Sequence, residues 1–301
     1  MEKGLPIKPK QRTRAEITIK QLRKNKTAMI GLGMLIVIFI LCFGAPIFAP
    51  HNPTDVDLDR GLKPGFWADD GLEGYYLGTD NLGRDILSRM LYGGRITLSV
   101  GFVALGFALI VGTGLGLVAG YVGGKIDSIL MRIADILFAY PALLLALVVA
   151  GTLGRGIDKA MLAIGIVYAP QMARIIRSSV LSIKEMEYIE AEHALGASNW
   201  RIVFKHVLPN SLAPLIVYST LMLATAILDA AALGFLGVGA QPPSPEWGLS
   251  LSIARKYLVT GAWWAATFPG IAILLSVISL NMLGDGLRDA LDPRLKGGSK
   301  I

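Results

Sequence analysis

The chain has 301 residues and a net charge of +7, with 53% hydrophobic residues and only 17% charged ones. Its mean hydropathy of +0.56 excludes an ordinary soluble domain, because a water-exposed surface of this size needs more charge. An integral membrane protein fits these values, and in that class a basic excess indicates membrane topology rather than nucleic-acid binding.

Cysteine and histidine are too sparse to suggest a structural cross-link or a metal centre. Cys42 is the one cysteine, so no intrachain disulfide can form. The three histidines are scattered along the chain without ligand spacing. The sequence therefore predicts no metal site.

Six apolar stretches are long enough to cross a bilayer, which takes about 20 residues as a helix. The first, with 22 residues, is longer than a typical signal-peptide core, so we predict that it is retained as a span. In the fourth, the uncharged run ends before Arg174, which we expect to reach toward the interface. The sequence thus predicts an all-α integral membrane protein with six transmembrane helices: 28–49, 96–121, 129–151, one starting near 160, 213–238 and 263–285.

Basic residues predict the orientation of these spans. The tail 1–27 holds nine Lys and Arg residues. With six spans, 20 of the 29 basic residues fall on the side of that tail and nine on the other. The positive-inside rule therefore predicts that both termini are cytoplasmic.

The stretches between the spans divide the rest of the chain. Residues 1–27 are predicted to form a basic cytoplasmic tail, 50–95 an extracytoplasmic loop, 96–285 the core of the membrane domain, and 286–301 a cytoplasmic tail. Within the loop, Leu82, Ile86, Met90 and Leu91 recur at helical spacing. They predict an amphipathic helix on the outer membrane surface before the second span.

No motif for catalysis stands out. GYVGGKI at 120–126 is the nearest match to a phosphate-binding loop, but its glycine spacing is one short and Ile126 stands where Ser or Thr would hold magnesium. We therefore expect no ATP hydrolysis and no cofactor on this chain. A membrane-embedded enzyme would need polar residues clustered at one membrane depth, and the sequence gives no sign of such a cluster.

Two acids lie inside predicted spans and away from the span ends, where charge is costly and usually faces a partner or a wet cavity. Asp135 follows Arg132 by three residues, which predicts a local pair on one helix. Asp229 has no basic residue three or four positions away, so it faces either a pathway or a partner helix. Two acids in six spans are too few for the usual proton relay of a stand-alone secondary transporter.

The polar segment 182–210 differs from the chain around it. Gly196 is predicted to break it into two helices, Ser198 to cap the second helix, and Pro209 to end it. An apolar stripe at i, i+3, i+4 and i+7 is predicted to pack this helix against the ends of the spans: Trp200, Val203, Phe204 and Val207. An inert connector is usually shorter, so we favour a loop that docks a soluble partner.

At these residues the chain resembles the "EAA" loop of ABC importer permeases. The resemblance rests on Glu190-Ala191, on Gly196 six residues after the glutamate, and on Leu208-Pro209. Glu192 and His206 depart from the usual alanine and isoleucine, but neither removes the turn. The resemblance implies that the loop couples to an ATPase subunit through Glu190, Ala191, Glu192, Leu195, Gly196, Ala197 and Ser198.

Three further stretches resemble the peptide/nickel branch of these permeases: residues 77–101, 231–248 and 281–296. Within that branch, the segment 227–248 is most similar to the "C" subunits of dipeptide permeases. The resemblance implies a type I ABC importer transmembrane domain, multi-pass in a bacterial or archaeal cytoplasmic membrane. It implies a homologous "B" permease subunit, two ATPase subunits that carry the ATP and Mg, and an extracytoplasmic peptide-binding protein. Dipeptides or short peptides are the expected cargo, with a nickel chelate or an oligosaccharide as the alternative.

Overall fold

The computed structural model describes residues 14–291, and within that range it is helical without strands. We number the α-helices in chain order. They are α1 Arg14–Lys24, α2 Lys26–Phe43, α3 Ala45–Phe48, α4 Ile86–Val122, α5 Gly124–Phe138, α6 Ala142–Leu153, α7 Ile157–Lys184, α8 Glu187–Ala194, α9 Asn199–Ile202, α10 Leu208–Phe235, α11 Trp247–Ala254 and α12 Trp264–Leu291. Short 3-10 helices cover Leu58–Arg60 and Arg255–Thr260, and a π-helix covers Val203–Val207.

Five helices of the described chain are long and apolar enough to cross a membrane. They are α2, α4, α7, the continuous stretch 199–235, and α12. The third predicted span, 129–151, is not one helix. It is divided between α5 and α6, which meet at 95°. Pro141 stands at the bend in an extended conformation, and proline disfavours helix in the residue before it. The prediction of six spans therefore holds only if this bent pair counts as one.

The prediction of a separate amphipathic helix on the membrane surface is wrong. Residues 86–91 form the first turns of α4, a single helix of 37 residues. Asp85 starts that helix by accepting a hydrogen bond from Ser88 N at 2.7 Å. Arg89 is buried and donates to Pro53 O at 3.0 Å and Ser244 O at 3.1 Å. These contacts with distant loops draw the helix into the protein instead of onto the membrane.

Three glycines of α4, at positions 112, 116 and 120, bring α4 and α7 into close contact. A Cβ placed on Gly112 would lie 2.5 Å from Ala169 O, and one on Gly120 would lie 2.8 Å from Val180 Cβ. Small residues at this spacing let membrane helices approach until their backbones touch. This pair forms the centre of the bundle, and α10 and α12 pack around it.

The start of α2 and the C-terminal part of α12 lie at the same end of the bundle. Asn25 caps α2 by accepting from Ala28 N at 3.1 Å, and its amide donates to Asp289 Oδ2 at 3.3 Å. Gly286 of α12 lies so close to Ala28 that a Cβ on that glycine would overlap the alanine side chain. The two ends of the described chain therefore lie at the same end of the bundle.

The opposite end of the bundle carries ordered loops. Thr79 is buried and accepts a hydrogen bond from Lys63 N at 2.8 Å, and its carbonyl accepts from Trp264 Nε1 at 3.2 Å. Glu246 is buried and caps α11 by accepting from Gly248 N and Leu249 N at 2.8 and 2.7 Å. Its carboxylate also accepts from Thr97 Oγ1 of α4 at 3.0 Å. Burial raises the pKa of Glu246, while these three donors act in the other direction.

Candidate functional site

The polar segment forms a hairpin of two short helices, as the sequence predicts. Gly196 lies between them with a φ of +78°, a conformation that costs a residue with a side chain about 1–2 kcal/mol. The turn is closed by Gly196 N donating to His193 O at 2.9 Å and by Ala197 N donating to Glu192 O at 3.0 Å. Ser198 caps the second helix and accepts from Arg201 N at 3.4 Å. The predicted break at Gly196 and the predicted cap at Ser198 are confirmed.

Three buried aliphatic side chains seat this hairpin on the bundle. Ile189 of α8, Ile202 of α9 and Val207 of the π-helix belong to the same apolar core as α4, α7 and α10. At one edge, Tyr121 OH donates to Asn199 Oδ1 at 2.9 Å, and Lys184 Nζ donates to Tyr121 O at 2.9 Å. The hairpin is therefore fixed to the ends of α4 and α7.

The predicted packing stripe is wrong for two of its four members. Trp200 and Phe204 are 74% and 54% exposed, and their rings stack on each other with centroids 5.4 Å apart. Val207 is buried as predicted, and Val203 is half-buried. The reason is the π-helix over Val203–Val207, whose i→i+5 turn takes more residues than an α-turn. Residues before and after the π-helix therefore do not share the face of the helix that α-helical spacing predicts.

The same π-turn explains why Pro209 does not end the helix. Leu208 and Pro209 form the first turn of α10, and the helical path runs without interruption from Asn199 to Phe235. Proline lacks an N–H and fits the first turn of a helix, where that group has no partner. The hairpin's second arm and the fifth span are thus one continuous rod.

The tip and outer face of the hairpin expose apolar side chains beside charges. Leu195, at the tip, is 84% exposed. The predicted coupling residues Glu190, Ala191, Gly196 and Ser198 are also exposed, and Glu192 and Ala197 are half-buried. His206 Nε2 lies 3.2 Å from Glu192 Oε1, so the two arms approach each other there. A contiguous apolar surface rimmed by charge is typical of a protein–protein contact.

Sequence reasoning missed two of the three anchors, Ile189 and Ile202. Ile189 is the buried residue of a helix that is otherwise polar, with the sequence EYIEAEHA. Ile202 precedes Val207 by five residues, which is the spacing of a π-turn and not of an α-helix. A search at that spacing would have found the pair.

The two intramembrane acids have partners on α7. Asp135 pairs with Arg174 at 2.7 Å and not with the predicted Arg132, because the bundle places α7 beside α5 and Arg174 also lies over the Phe138 ring. Asp229 is half-buried, and its Oδ2 accepts a hydrogen bond from Tyr168 OH at 2.5 Å. No cation among residues 14–291 forms an ion pair with Asp229.

No group of three or more possible metal ligands occurs among the residues that the structure describes. The features described above are an exposed surface at one end of the bundle and two acids that pair with side chains of α7.

Comparisons with known proteins agree with this arrangement. Residues 112–297 match the family described as "binding-protein-dependent transport system inner membrane component", and residues 13–64 match the "N-terminal TM domain of oligopeptide transport permease C". The dipeptide transport system permease protein DppC of Alkalihalophilus pseudofirmus is 48% identical over 92% of this chain and 89% of its own length. The di/tripeptide transport system permease protein DppC of Pseudomonas aeruginosa is 45% identical over 91% of this chain and 90% of its own.

A solved structure of the MetNI methionine ABC transporter, in an inward-facing conformation, has a similar fold. Its matched chain superposes with a TM-score of 0.56, covering 67% of this chain and 96% of its own length. The identity is 22%, so this likeness concerns the fold alone.

Proposed function

The chain belongs to the family of binding-protein-dependent transport system inner membrane components, and we propose from that premise that it passes dipeptides inward through the membrane when an ATPase subunit moves its 187–207 hairpin. It has the type I ABC importer fold. The two DppC relatives described above are named for dipeptides and for di- and tripeptides, which favours peptides over a nickel chelate or an oligosaccharide as the cargo of this chain.

One observation carries the proposed role of the hairpin: it is seated firmly on one side and open on the other. Ile202 and Val207 are fully buried, whereas Leu195 and Trp200 are among the most exposed apolar side chains of the described chain. A few residues usually dominate the binding energy of an interface, and tryptophan is common among them. The open face is therefore the surface offered to the ATPase.

The connections of the hairpin provide a route for mechanical force. Its first arm follows α7 after two residues, and its second arm continues into α10 without a break. Because α7 packs along α4 through backbone contacts at Gly112 and Gly120, a displacement of the hairpin moves three spans together. A rigid rod transmits such a push, whereas a flexible connector would absorb it.

The remaining partners follow from the same proposal. A homologous "B" permease subunit would complete the pathway, two ATPase subunits would bind ATP and Mg, and an extracytoplasmic peptide-binding protein would deliver cargo at the end that carries Thr79 and Glu246. This chain would hydrolyse no ATP itself. The hairpin end, with both termini, would lie in the cytoplasm of a bacterial cell.

We expect the double variant Trp200→Ala, Phe204→Ala to lose at least about 30-fold in affinity for the ATPase subunits, since one hot-spot residue contributes about 2 kcal/mol or more. The measurement is binding of the purified ATPase to the membrane complex. Phe66→Ala is the control, because Phe66 is an equally exposed aromatic residue in the loop at the opposite end. Unchanged binding in the double variant would show that the ATPase docks elsewhere.

We expect an impermeant thiol reagent on intact cells to label cysteine at position 59 and to spare cysteine at position 125. Asp59 and Lys125 are both exposed and lie at opposite ends of the bundle, and the basic-residue asymmetry places the latter inside. The single cysteines are introduced after Cys42→Ala. Permeabilised cells, in which both positions react, serve as the control, and the opposite labelling pattern would reverse the proposed orientation.

A further inference from the structure

One exposed face of α10 carries polar groups where lipid contact would call for apolar ones. Tyr218, Thr225 and Asp229 follow one another at intervals of seven and four residues, so they share a face of the helix. Thr225 is exposed, and the other two are half-buried. Polar and charged side chains in a membrane segment usually face a water-filled cavity or a partner. This face therefore points to a wet path or to another polypeptide.

The carboxylate of Asp229 is held in a defined position on that face. Tyr168, itself buried, donates its hydroxyl hydrogen to Oδ2 at 2.5 Å. The second oxygen, Oδ1, accepts no hydrogen bond from residues 14–291, and the side chain is half-buried. One oxygen is thus oriented by the protein while the other is available to a donor.

A second hydrogen bond that involves a tyrosine joins the same two helices. Gln171 Nε2 donates to Tyr218 OH, which places an amide and a phenol between α7 and α10. Tyr218 precedes Asp229 by 11 residues, a rise of about 16 Å along the helix. Hydrogen-bonding groups therefore extend over roughly half the thickness of the hydrocarbon core.

We propose that Asp229, oriented by Tyr168, is a transient binding site for the protonated α-amino group of the transported peptide. The inference rests on the proposed function, because it takes a short peptide as the cargo. An α-amino group with an ordinary pKa near 8 is largely protonated at neutral pH. Such a group loses its hydration inside the membrane and needs an anionic acceptor, and a charge-assisted hydrogen bond to Oδ1 supplies one.

The partial exposure of Asp229 suits passage and release. A site on a transport path must bind its cargo well enough to admit it and weakly enough to let it leave. The side chain of Asp229 is partly exposed, so water can take the place of the peptide when the peptide moves on. A basic side chain of the second permease subunit is the competing occupant, and it makes different predictions.

The first test measures the charge preference of the face in the whole transport complex. Thr225→Cys, in the Cys42→Ala background, places a thiol one turn from Asp229. We expect a cationic methanethiosulfonate reagent to modify it at least about fivefold faster than an anionic one of similar size, after correction for their rates with a free thiol. Adding Asp229→Asn should abolish this preference. An unchanged preference, or none in the presence of Asp229, would overturn the proposal.

The second test measures ATP-driven dipeptide uptake by the reconstituted complex. We expect Asp229→Asn to reduce the initial rate about tenfold while both permease subunits still purify together, Asp229→Glu to restore part of it, and Tyr168→Phe to give an intermediate rate. Wild-type uptake by Asp229→Asn would overturn the inference, and so would loss of the second permease subunit, which would identify Asp229 as an interface contact. Absence of dipeptide uptake by the wild-type complex would instead refute the proposed cargo, and the thiol measurement would still report whether the face prefers cations.

Discussion

Gly196→Val is expected to leave the chain inserted in the membrane and to reduce ATP-driven uptake at least about tenfold. Gly196 has a φ of +78°, and a β-branched residue is a strong outlier there. A Cβ at this position would meet no other atom within 4 Å, so the substitution does not disturb the packing of the spans. Strain of about 1–2 kcal/mol must therefore be relieved within the turn itself, which displaces Leu195 and the exposed face around it.

Gly261→Val is the matched control for this substitution. Gly261 has a φ of +87° and equally open surroundings, but it lies between α11 and α12 at the opposite end of the bundle. The measurement is the amount of ATPase that purifies with each variant, together with uptake for Gly196→Val. Normal ATPase recovery and normal uptake in Gly196→Val would make the hairpin a connector without a coupling role.

Glu246→Ala is expected to destabilise the protein by about 3 kcal/mol or more. Its carboxylate is 3% exposed and accepts from two backbone N–H groups and from Thr97 Oγ1. Each buried donor that loses its acceptor costs about 1–3 kcal/mol, and three donors lose theirs here. The substitution would also remove the hydrogen bond between the start of α11 and Thr97 of α4.

The shift in the thermal unfolding midpoint of the purified complex measures this effect. Asp57→Ala is the control, because Asp57 also caps a helix, accepting from Asp59 N at 3.1 Å, but on an exposed surface. It should cost about 1 kcal/mol, the typical value for a cap. Glu246→Gln should fall between the two, since it retains an acceptor oxygen and loses the charge. Equal midpoints for Glu246→Ala and Asp57→Ala would show that the buried carboxylate contributes no more than a surface cap.

Features that depend on neighbouring residues could be predicted from the sequence. The bilayer requires runs of about 20 apolar residues, so the apolar runs alone located five of the six predicted spans, but they did not indicate the 95° bend between α5 and α6. The turn at Gly196 and the cap at Ser198 depend on the conformational freedom of one residue and on one hydroxyl. Both therefore appear in the sequence as local signals.

Features that depend on distant residues could not be predicted in this way. Arg174 was not identified as the partner of Asp135 because 39 residues separate them, and Arg132 was nearer in the chain. Glu246 meets Thr97 across 149 residues, and no local pattern indicates that contact.

The prediction of an apolar stripe on the hairpin was partly wrong for a different reason. Its residues were assigned to a common face on the assumption of a regular α-helix, and the π-turn over Val203–Val207 changes the register. Trp200 and Phe204 then turn outward and Ile202 turns inward. The π-turn therefore leaves both aromatic side chains on the surface where the proposed partner binds.

ATP-driven uptake by a defined complex tests the central claim most directly. Vesicles would contain this chain with its second permease subunit and the ATPase subunits, and labelled dipeptide would be added outside with its binding protein. The account predicts accumulation that requires both ATP inside and the ATPase subunits. It predicts none from this chain alone, with or without a proton gradient. Gradient-driven accumulation by the chain alone would contradict the account, because transport would then need neither the hairpin nor its partner.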